Sequence, residues 1–144
     1  MRIGGLDVGD KTIGVALSDE LGLTAQALEV IQRRSLEQDL ARLGEIARQY
    51  SVERWVVGMP RNMNGTYGPR AELTREFMQH LAAHSGLPVE AWDERMSTMA
   101  AERVLLEADV SRARRRKVID KMAAAVILQG YLDARAFRPP ESLV

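Results

Sequence analysis

Three acidic residues stand in apolar surroundings, where a charged side chain is costly unless a cation lies beside it. Asp7 interrupts an apolar segment near the start, Glu94 follows the apolar run 89–92, and Asp120 lies in a largely apolar stretch near the end. Three carboxylates meeting at one point would repel one another, and Mg²⁺ or Mn²⁺, which prefer oxygen ligands, would relieve that repulsion. The pattern predicts a metal site, with local ion pairs as the alternative.

The two acids that follow the run 89–92 compete for one place in this site. Successive residues of a strand point to opposite faces of the sheet, so only one of Asp93 and Glu94 can face Asp7. Periodicity alone leaves that choice open. In the alternative without metal, the local pairs would be Asp120 with Lys117 or Lys121, and Glu94 with Arg95.

A run of basic residues precedes the last of the three acids. Between positions 111 and 121 there are six positive charges against one negative, whereas the whole chain carries 20 Lys and Arg against 20 Asp and Glu. Helix starts favour acidic residues, so a basic run there indicates an anionic partner, and phosphate-rich nucleic acid is the expected one. The basic residues are Arg112, Arg114, Arg115, Arg116, Lys117 and Lys121.

The polar loop 59–68 is a second candidate for binding phosphate. It contains Pro60, Gly65 and Gly68, and it follows a short buried strand. Open α/β sheets place their binding sites in such loops, at the carboxyl ends of the strands. The side chains of Arg61, Asn62 and Asn64, together with loop amides, suit phosphate oxygens.

The remaining patterns predict the elements that must position these residues. Apolar runs rich in β-favouring residues predict strands, and three- to four-residue periodicity predicts helices. The predicted strands are 3–8, 12–17, 27–31, 55–58 and 89–92, and the predicted helices are 35–50, 69–86, 98–108 and 116–136. Strands that alternate with helices after an initial hairpin predict an α/β fold, a mixed sheet with helices on both faces.

The helical patterns also predict which faces are buried. Ser35 is the expected N-cap of the first helix, and Asp39 is assigned to its polar face. The last helix is expected to be buried nearly all round between 122 and 132, because that stretch is almost entirely apolar. The residues expected to point inward from helix 69–86 are Leu73, Phe77 and Leu81.

Length and composition limit the class of protein. A chain of 144 residues and 16.1 kDa predicts one domain over 1–136, followed by a flexible tail at 137–144. The absence of cysteine excludes disulfides, thiol nucleophiles and thiolate metal sites. No run approaches the ~18 apolar residues of a membrane helix, so no membrane partner is expected. The start lacks a secretory signal, and a cytoplasmic location is expected.

The segment after Asp7 permits a second functional interpretation. Asp7-Val8-Gly9 with Lys11-Thr12 and a following strand resembles the first phosphate motif of sugar kinases, actin and their relatives. Those proteins close two such domains around a nucleotide, and the length of this chain tells against that arrangement.

Four segments together resemble one family. They are Gly-Leu-Asp-Val-Gly-Asp-Lys-Thr-Ile-Gly-Val-Ala at 5–16, Val-Gly-Met-Pro-Arg-Asn-Met-Asn-Gly-Thr at 57–66, Asp-Glu-Arg-Met-Ser-Thr at 93–98 and Lys-Val-Ile-Asp-Lys-Met-Ala-Ala-Ala at 117–125. In this order, from residue 2 to about 133, the chain is similar to the YqgF/RuvX family. Members of that family are assigned as Holliday junction resolvases with an RNase H-like fold.

The resemblance implies a five-stranded mixed sheet and a nuclease site that holds two Mg²⁺ or Mn²⁺ ions. By position, the family's acidic triad falls on Asp7, Glu94 and Asp120, which favours Glu94 over Asp93. Asp7 is the expected bridging ligand, because a carboxylate on a central strand is the most rigidly placed. The related RuvC resolvases have a further carboxylate three residues before the last one, where this chain has Lys117.

The resemblance also implies an activity and its partners. The expected activity is metal-dependent endonucleolytic hydrolysis of structured nucleic acid, either branched DNA or the 5′ end of precursor 16S rRNA. Lys11, Arg95 and the basic run 112–117 would hold phosphates without reading sequence. Symmetric cleavage of a junction requires two sites, so a homodimer is expected. The alternative is a non-catalytic nucleic-acid or ribosome-precursor binding protein.

Overall fold

The computed structural model describes residues 2–60, 68–93 and 112–136, with side chains from 122 to 135 in the last range. Within this part of the chain there are five strands and three helices. The strands are β1 (Arg2–Val8), β2 (Thr12–Ser18), β3 (Ala25–Gln32), β4 (Val52–Met59) and β5 (Val89–Asp93). The helices are α1 (Leu36–Tyr50), α2 (Pro69–Ser85) and α3 (Arg112–Ala136).

The strands form one mixed sheet in the order β3-β2-β1-β4-β5. β1 pairs antiparallel with β2 and parallel with β4, and β4 pairs parallel with β5. The predicted five-stranded mixed sheet is therefore confirmed. Because β1, β4 and β5 run in the same direction, their carboxyl ends meet at one edge of the sheet, and β1 is the central strand.

Helices cover both faces of the sheet, as predicted. One core joins β-sheet residues such as Leu6, Trp55 and Val57 to α1 and α2. The other core joins Ile3, Ala16 and Val56 to the buried residues of α3. Neighbouring residues alternate between the two cores along β4, as the pleat of a strand requires.

The helix ends follow the signals in the sequence. The Ser35 side chain accepts a hydrogen bond of 3.2 Å from the Gln38 amide, so Ser35 is the N-cap of α1. Pro69 occupies the first turn of α2, where its missing N–H costs nothing. Gly86 ends α2 in the left-handed region, with φ of 69°, and its amide donates to the Ala82 carbonyl.

The predicted inward face of α2 is partly wrong. Phe77 and Leu81 are buried, but Leu73 is 59% exposed. The buried stripe also contains Ala71 and Thr74. Each helical residue advances by about 100°, so Leu73 lies roughly a quarter-turn away from this stripe.

Two predictions about α3 are also wrong. The helix begins at Arg112 rather than Arg116, because arginine and lysine are good helix formers and a run of them extends a helix. Nor is the stretch 122–132 buried all round, since Met122 is 39% exposed. One stripe faces the sheet, and it consists of Ala124, Ile127, Leu128, Tyr131 and Leu132.

Asp39 lies in the interior and not on the polar face of α1. It is 2% exposed, and its Oδ2 lies 3.2 Å from Nε of Arg33. The helical pattern could not indicate this pairing, because Arg33 precedes the helix.

Other predictions fall on residues that the structure does not describe. They are the helix 98–108 and the tail 137–144, so the domain boundary at 136 stays a prediction. Among the described residues, no helix is long and apolar enough to cross a membrane.

Candidate functional site

Asp7 lies near the carboxyl end of the central strand and is half-buried. Its backbone pairs with Gly14 of β2. Leu6, its neighbour, packs in the core under α1 and α2. Strand alternation therefore places Asp7, like Gly5, on the face covered by α3.

Two glycines allow α3 to approach this face closely. A Cβ added to Gly5 would lie 2.7 Å from Cβ of Leu128 and 3.1 Å from the carbonyl oxygen of Ala124. A Cβ added to Gly58 of β4 would lie 2.5 Å from Cδ1 of Ile127. The backbone of α3 thus lies against the sheet at Gly5, two strand positions before Asp7.

Contacts near the end of α3 fix the direction in which it crosses the sheet. The Tyr131 hydroxyl lies 3.1 Å from Nη1 of Arg54, whose backbone partner is Ile3 at the start of β1. Gln129 accepts a hydrogen bond of 2.9 Å from the amide of Ala25, at the start of β3. The carboxyl-terminal half of α3 therefore covers the amino end of β1, and the helix runs back from there past Gly5.

The Arg54–Tyr131 contact belongs to a polar network that the sequence patterns did not reveal. Arg54 also pairs with Glu90 of β5, at 2.5 Å. The hydrogen bond with Tyr131 raises the pKa of Arg54 above its ordinary value. The Tyr131 ring packs edge-on against Trp92, with ring centroids 6.0 Å apart. This network ties α3 to β4 and β5.

Of the two competing acids at the end of β5, Asp93 can be assigned to a face of the sheet. Trp92 packs with the α3 core, whereas Asp93, opposite Met59 in the sheet, is the next residue. Alternation places Asp93 on the opposite face from Trp92, and therefore from Asp7. Glu94 lies outside the described residues.

Lys11 lies in the turn that joins β1 to β2, and its side chain is exposed. The amide of Gly9 closes this turn by donating a 2.8 Å hydrogen bond to the Thr12 carbonyl. Because the turn directly follows the end of β1, Lys11 belongs to the same edge of the sheet as Asp7.

The remaining predicted site residues lie outside the part of the chain whose side chains are described. Arg61, Asn62, Asn64 and Arg95 lie outside the described residues. Arg112, Arg114, Arg115, Arg116, Lys117 and Asp120 belong to α3, in the part whose side chains are not described. In the described part of the chain, no three His, Cys, Asp or Glu side chains form a group that could hold a metal ion.

The sheet order and the helices on both faces define the class of fold. The structure matches RuvC of Thermus thermophilus in complex with a Holliday junction, with a TM-score of 0.59 and 20% identity, covering 94% of this chain and 96% of that one. It also matches the Holliday junction resolvase of fowlpox virus, with a TM-score of 0.55 and 16% identity, covering 93% and 99%. The fold is that of the RNase H-like α/β proteins.

Sequence comparison identifies the family within this class. A family model described as RuvX, Holliday junction resolvase, matches residues 1–134. A Symbiobacterium thermophilum protein named as a candidate pre-16S rRNA nuclease is 91% identical over 144 residues, the full length of both chains. A Desulforamulus reducens protein with the same name is 63% identical over 136 residues, covering 94% of this chain and 99% of that one. The chain belongs to the RuvX family, a family of nucleases, which confirms the resemblance.

Proposed function

We propose that the chain is a divalent-metal-dependent endonuclease that hydrolyses phosphodiester bonds in structured nucleic acid. The observation that carries this proposal is the position of Asp7, a half-buried carboxylate on the central strand, on the face that α3 approaches through two glycines. Oxygen donors of this kind fit a hard cation such as Mg²⁺ or Mn²⁺.

The register between β1 and α3 supports a role for Asp120. From Gly5 to Asp7 the strand advances two positions, about 6.6 Å. From Ala124 back to position 120 the helix advances four positions, about 6 Å, and returns to the same face. Because α3 runs antiparallel to β1, going back along the helix and forward along the strand lead in the same direction. Position 120 is thus expected to come level with Asp7.

Glu94 is the expected third ligand, and Asp93 is not. Asp93 lies on the opposite face of the sheet, so a continued alternation would give position 94 the face of Trp92 and Asp7. Asp7, Glu94 and Asp120 would then hold two ions. When bound, such ions lower the pKa of a water nucleophile and neutralise charge on the leaving oxygen.

The positive side chains would bind the phosphates of the nucleic acid. Lys11 at the end of β1, with Arg61, Arg95 and the basic run at 112–117, would hold backbone phosphates and orient the scissile bond against the carboxylates. Asn62 and Asn64 would add neutral hydrogen bonds to the phosphate oxygens. Such contacts position a nucleic acid without reading its sequence.

The names of relatives support two substrates, branched DNA and precursor 16S rRNA. Cleavage of both strands of a junction at symmetric positions requires two sites, which a homodimer would supply. A single cut in precursor rRNA has no such requirement. Light scattering with and without a four-way junction therefore tests the dimer together with the junction substrate.

The test of the activity is a cleavage assay with Mg²⁺ or Mn²⁺ on four-way junctions, single-stranded DNA and precursor rRNA. Asp7→Asn, Glu94→Gln and Asp120→Asn should each lower the rate by roughly a thousandfold, because bound metal supplies several kcal/mol to the transition state. Asp93→Asn is the matched control and should cleave at close to the wild-type rate.

Two outcomes would overturn the proposal. Cleavage by Asp7→Asn at the wild-type rate would show that the activity comes from elsewhere. Salt-sensitive binding of nucleic acid by the wild-type chain, with no acid-dependent cleavage of any substrate, would favour a binding protein instead.

A further inference from the structure

Arg33 contacts both ends of the turn that follows Asp7. Its Nη1 donates a hydrogen bond of 2.9 Å to the carbonyl of Gly9. Its own amide donates a hydrogen bond of 2.9 Å to the carbonyl of Lys11. Arg33 follows β3 directly, so the turn between β1 and β2 is tied to the end of β3, the strand beside β2.

The guanidinium of Arg33 is itself held from two sides. Its Nε donates to Oδ2 of Asp39 at 3.2 Å, and its Cζ lies 5.5 Å from the centre of the Phe77 ring. Oδ1 of Asp39 accepts a further hydrogen bond from the amide of Arg34, at 3.3 Å. The side chain therefore joins the turn to both α1 and α2.

Loss of the ion pair between Arg33 and Asp39 would destabilise the fold. A carboxylate that is 2% exposed must be paired, because an unpaired buried charge is strongly destabilising. The proposed carboxylate site does not use Asp39, which lies under the opposite face of the sheet from α3. The ion pair between Asp39 and Arg33 is therefore distinct from the proposed metal site.

We propose that Arg33 and Asp39 form a positioning pair that holds the turn 9–11, and with it the orientation of Lys11 and Asp7 toward a bound phosphodiester. This inference rests on the proposed nuclease function. Arginine is required because its planar group donates to the Asp39 carboxylate and the Gly9 carbonyl at the same time. A lysine can satisfy one of these acceptors but not both in the same geometry.

The test compares Arg33→Lys and Arg33→Met with Arg42→Met. Arg42→Met is the matched control, because it breaks the ion pair between Arg42 of α1 and Glu29 of β3, away from the turn. Amide hydrogen exchange at Gly9 reports on the turn without any substrate. The exchange rate of the Gly9 amide should rise by roughly tenfold or more in both Arg33 variants, because a loosened turn opens the hydrogen bond of this amide more often. The rate should be unchanged in Arg42→Met.

Cleavage kinetics then test whether the turn matters for function. Per folded molecule, Arg33→Met should lose roughly 10- to 100-fold in kcat/KM, as a small misplacement of positioning groups can cause. Arg33→Lys, which keeps the charge beside Asp39, should retain more thermal stability than Arg33→Met and still lose kcat/KM. In the background of Lys11→Met, the loss caused by Arg33→Met should be several-fold smaller, since the two act through one contact.

The outcomes separate this inference from the proposed function. If the wild-type chain cleaves nothing, the nuclease proposal fails, and unchanged exchange at Gly9 would overturn the positioning pair independently. If the wild-type chain cleaves and the Arg33 variants match Arg42→Met in kcat/KM, the pair only stabilises the fold and the inference is wrong.

Discussion

Gly5 of the central strand and Ala124 of α3 lie so close together that a Cβ at position 5 would be 3.1 Å from the Ala124 carbonyl oxygen. The same Cβ would lie 2.7 Å from Cβ of Leu128. Neither atom is the end of a flexible side chain, so the whole helix would have to move. The spacing between β1 and α3 is therefore set by a glycine two residues before Asp7.

Gly5→Ala should destabilise the fold by about 1–3 kcal/mol, the usual cost of overpacking a core. Gly58→Ala should cost less, because the nearest atom there is the terminal Cδ1 of Ile127, which can rotate away. Urea unfolding of both variants measures the difference.

Gly44→Ala in α1 is the control, since its Cβ would meet only ordinary contacts at 3.6 Å and beyond. That variant should gain up to about 1 kcal/mol from helix propensity. Equal stability of Gly5→Ala and the wild type would contradict the close approach.

Tyr131→Phe should lower the free energy of unfolding by about 1 kcal/mol, because it removes the hydrogen bond to Arg54 and keeps the ring against Trp92. Thermal unfolding measures the effect, and Tyr50→Phe, at the end of α1, controls for the loss of a hydroxyl. If Tyr131→Phe unfolds like the wild type, the hydrogen bond contributes nothing to holding α3.

Arg114→Gln, Arg115→Gln and Arg116→Gln, combined, should weaken nucleic-acid binding of every sequence alike. Each lost phosphate contact should reduce the slope of log affinity against log salt by about 1. Titrations of a labelled four-way junction or precursor rRNA at several salt concentrations give this slope. Arg48→Gln, an exposed position near the end of α1, is the control. An unchanged slope in the triple variant would mean that the basic run does not contact phosphate.

The hydrogen bonds of the Asp19 carboxylate should make the stability of the fold depend on pH. The amides of Leu23 and Thr24 donate to its Oδ1, at 2.7 and 3.2 Å, and lower the pKa of this carboxyl below 3.8. Its stabilising effect is therefore complete well above 3.8 and is lost as the pH falls through the lowered pKa. Asp19→Ala should lower Tm at neutral pH, and the difference from wild type should shrink as the pH falls through the lowered pKa of Asp19. Glu76→Ala, which removes an exposed carboxylate of α2, controls for the loss of one negative charge. A difference in Tm that stays constant with pH would contradict the assignment.

Local signals in the sequence predicted much of the fold. Ser35, Pro69 and Gly86 mark helix ends because capping depends on a few adjacent atoms. The hairpin through 9–11 and the buried run at Trp55 follow from turn chemistry and from continuous apolar residues.

The predictions that were wrong concern side chains whose burial depends on residues outside the local sequence pattern. Asp39 is buried because Arg33 reaches it from outside the helix, and no periodicity within α1 contains that information. Leu73 is exposed because four-residue steps drift away from the 3.6-residue period of α2. In the candidate site, the sequence singled out Asp7 because a charge in an apolar strand is costly. The choice between Asp93 and Glu94 depended on the face that Trp92 occupies, which only its packing with the α3 core reveals.

A crystal structure with Mn²⁺ bound, in which anomalous scattering locates each ion, tests whether the three carboxylates form one metal site. We expect Mn²⁺ at the carboxyl end of β1, with oxygens of Asp7, Glu94 and Asp120 at about 2.0–2.4 Å. The same soak of Asp7→Asn should show no ion there. A structure in which these three carboxylates are apart, or each is paired with its own Arg or Lys while Mn²⁺ binds elsewhere, would contradict the account.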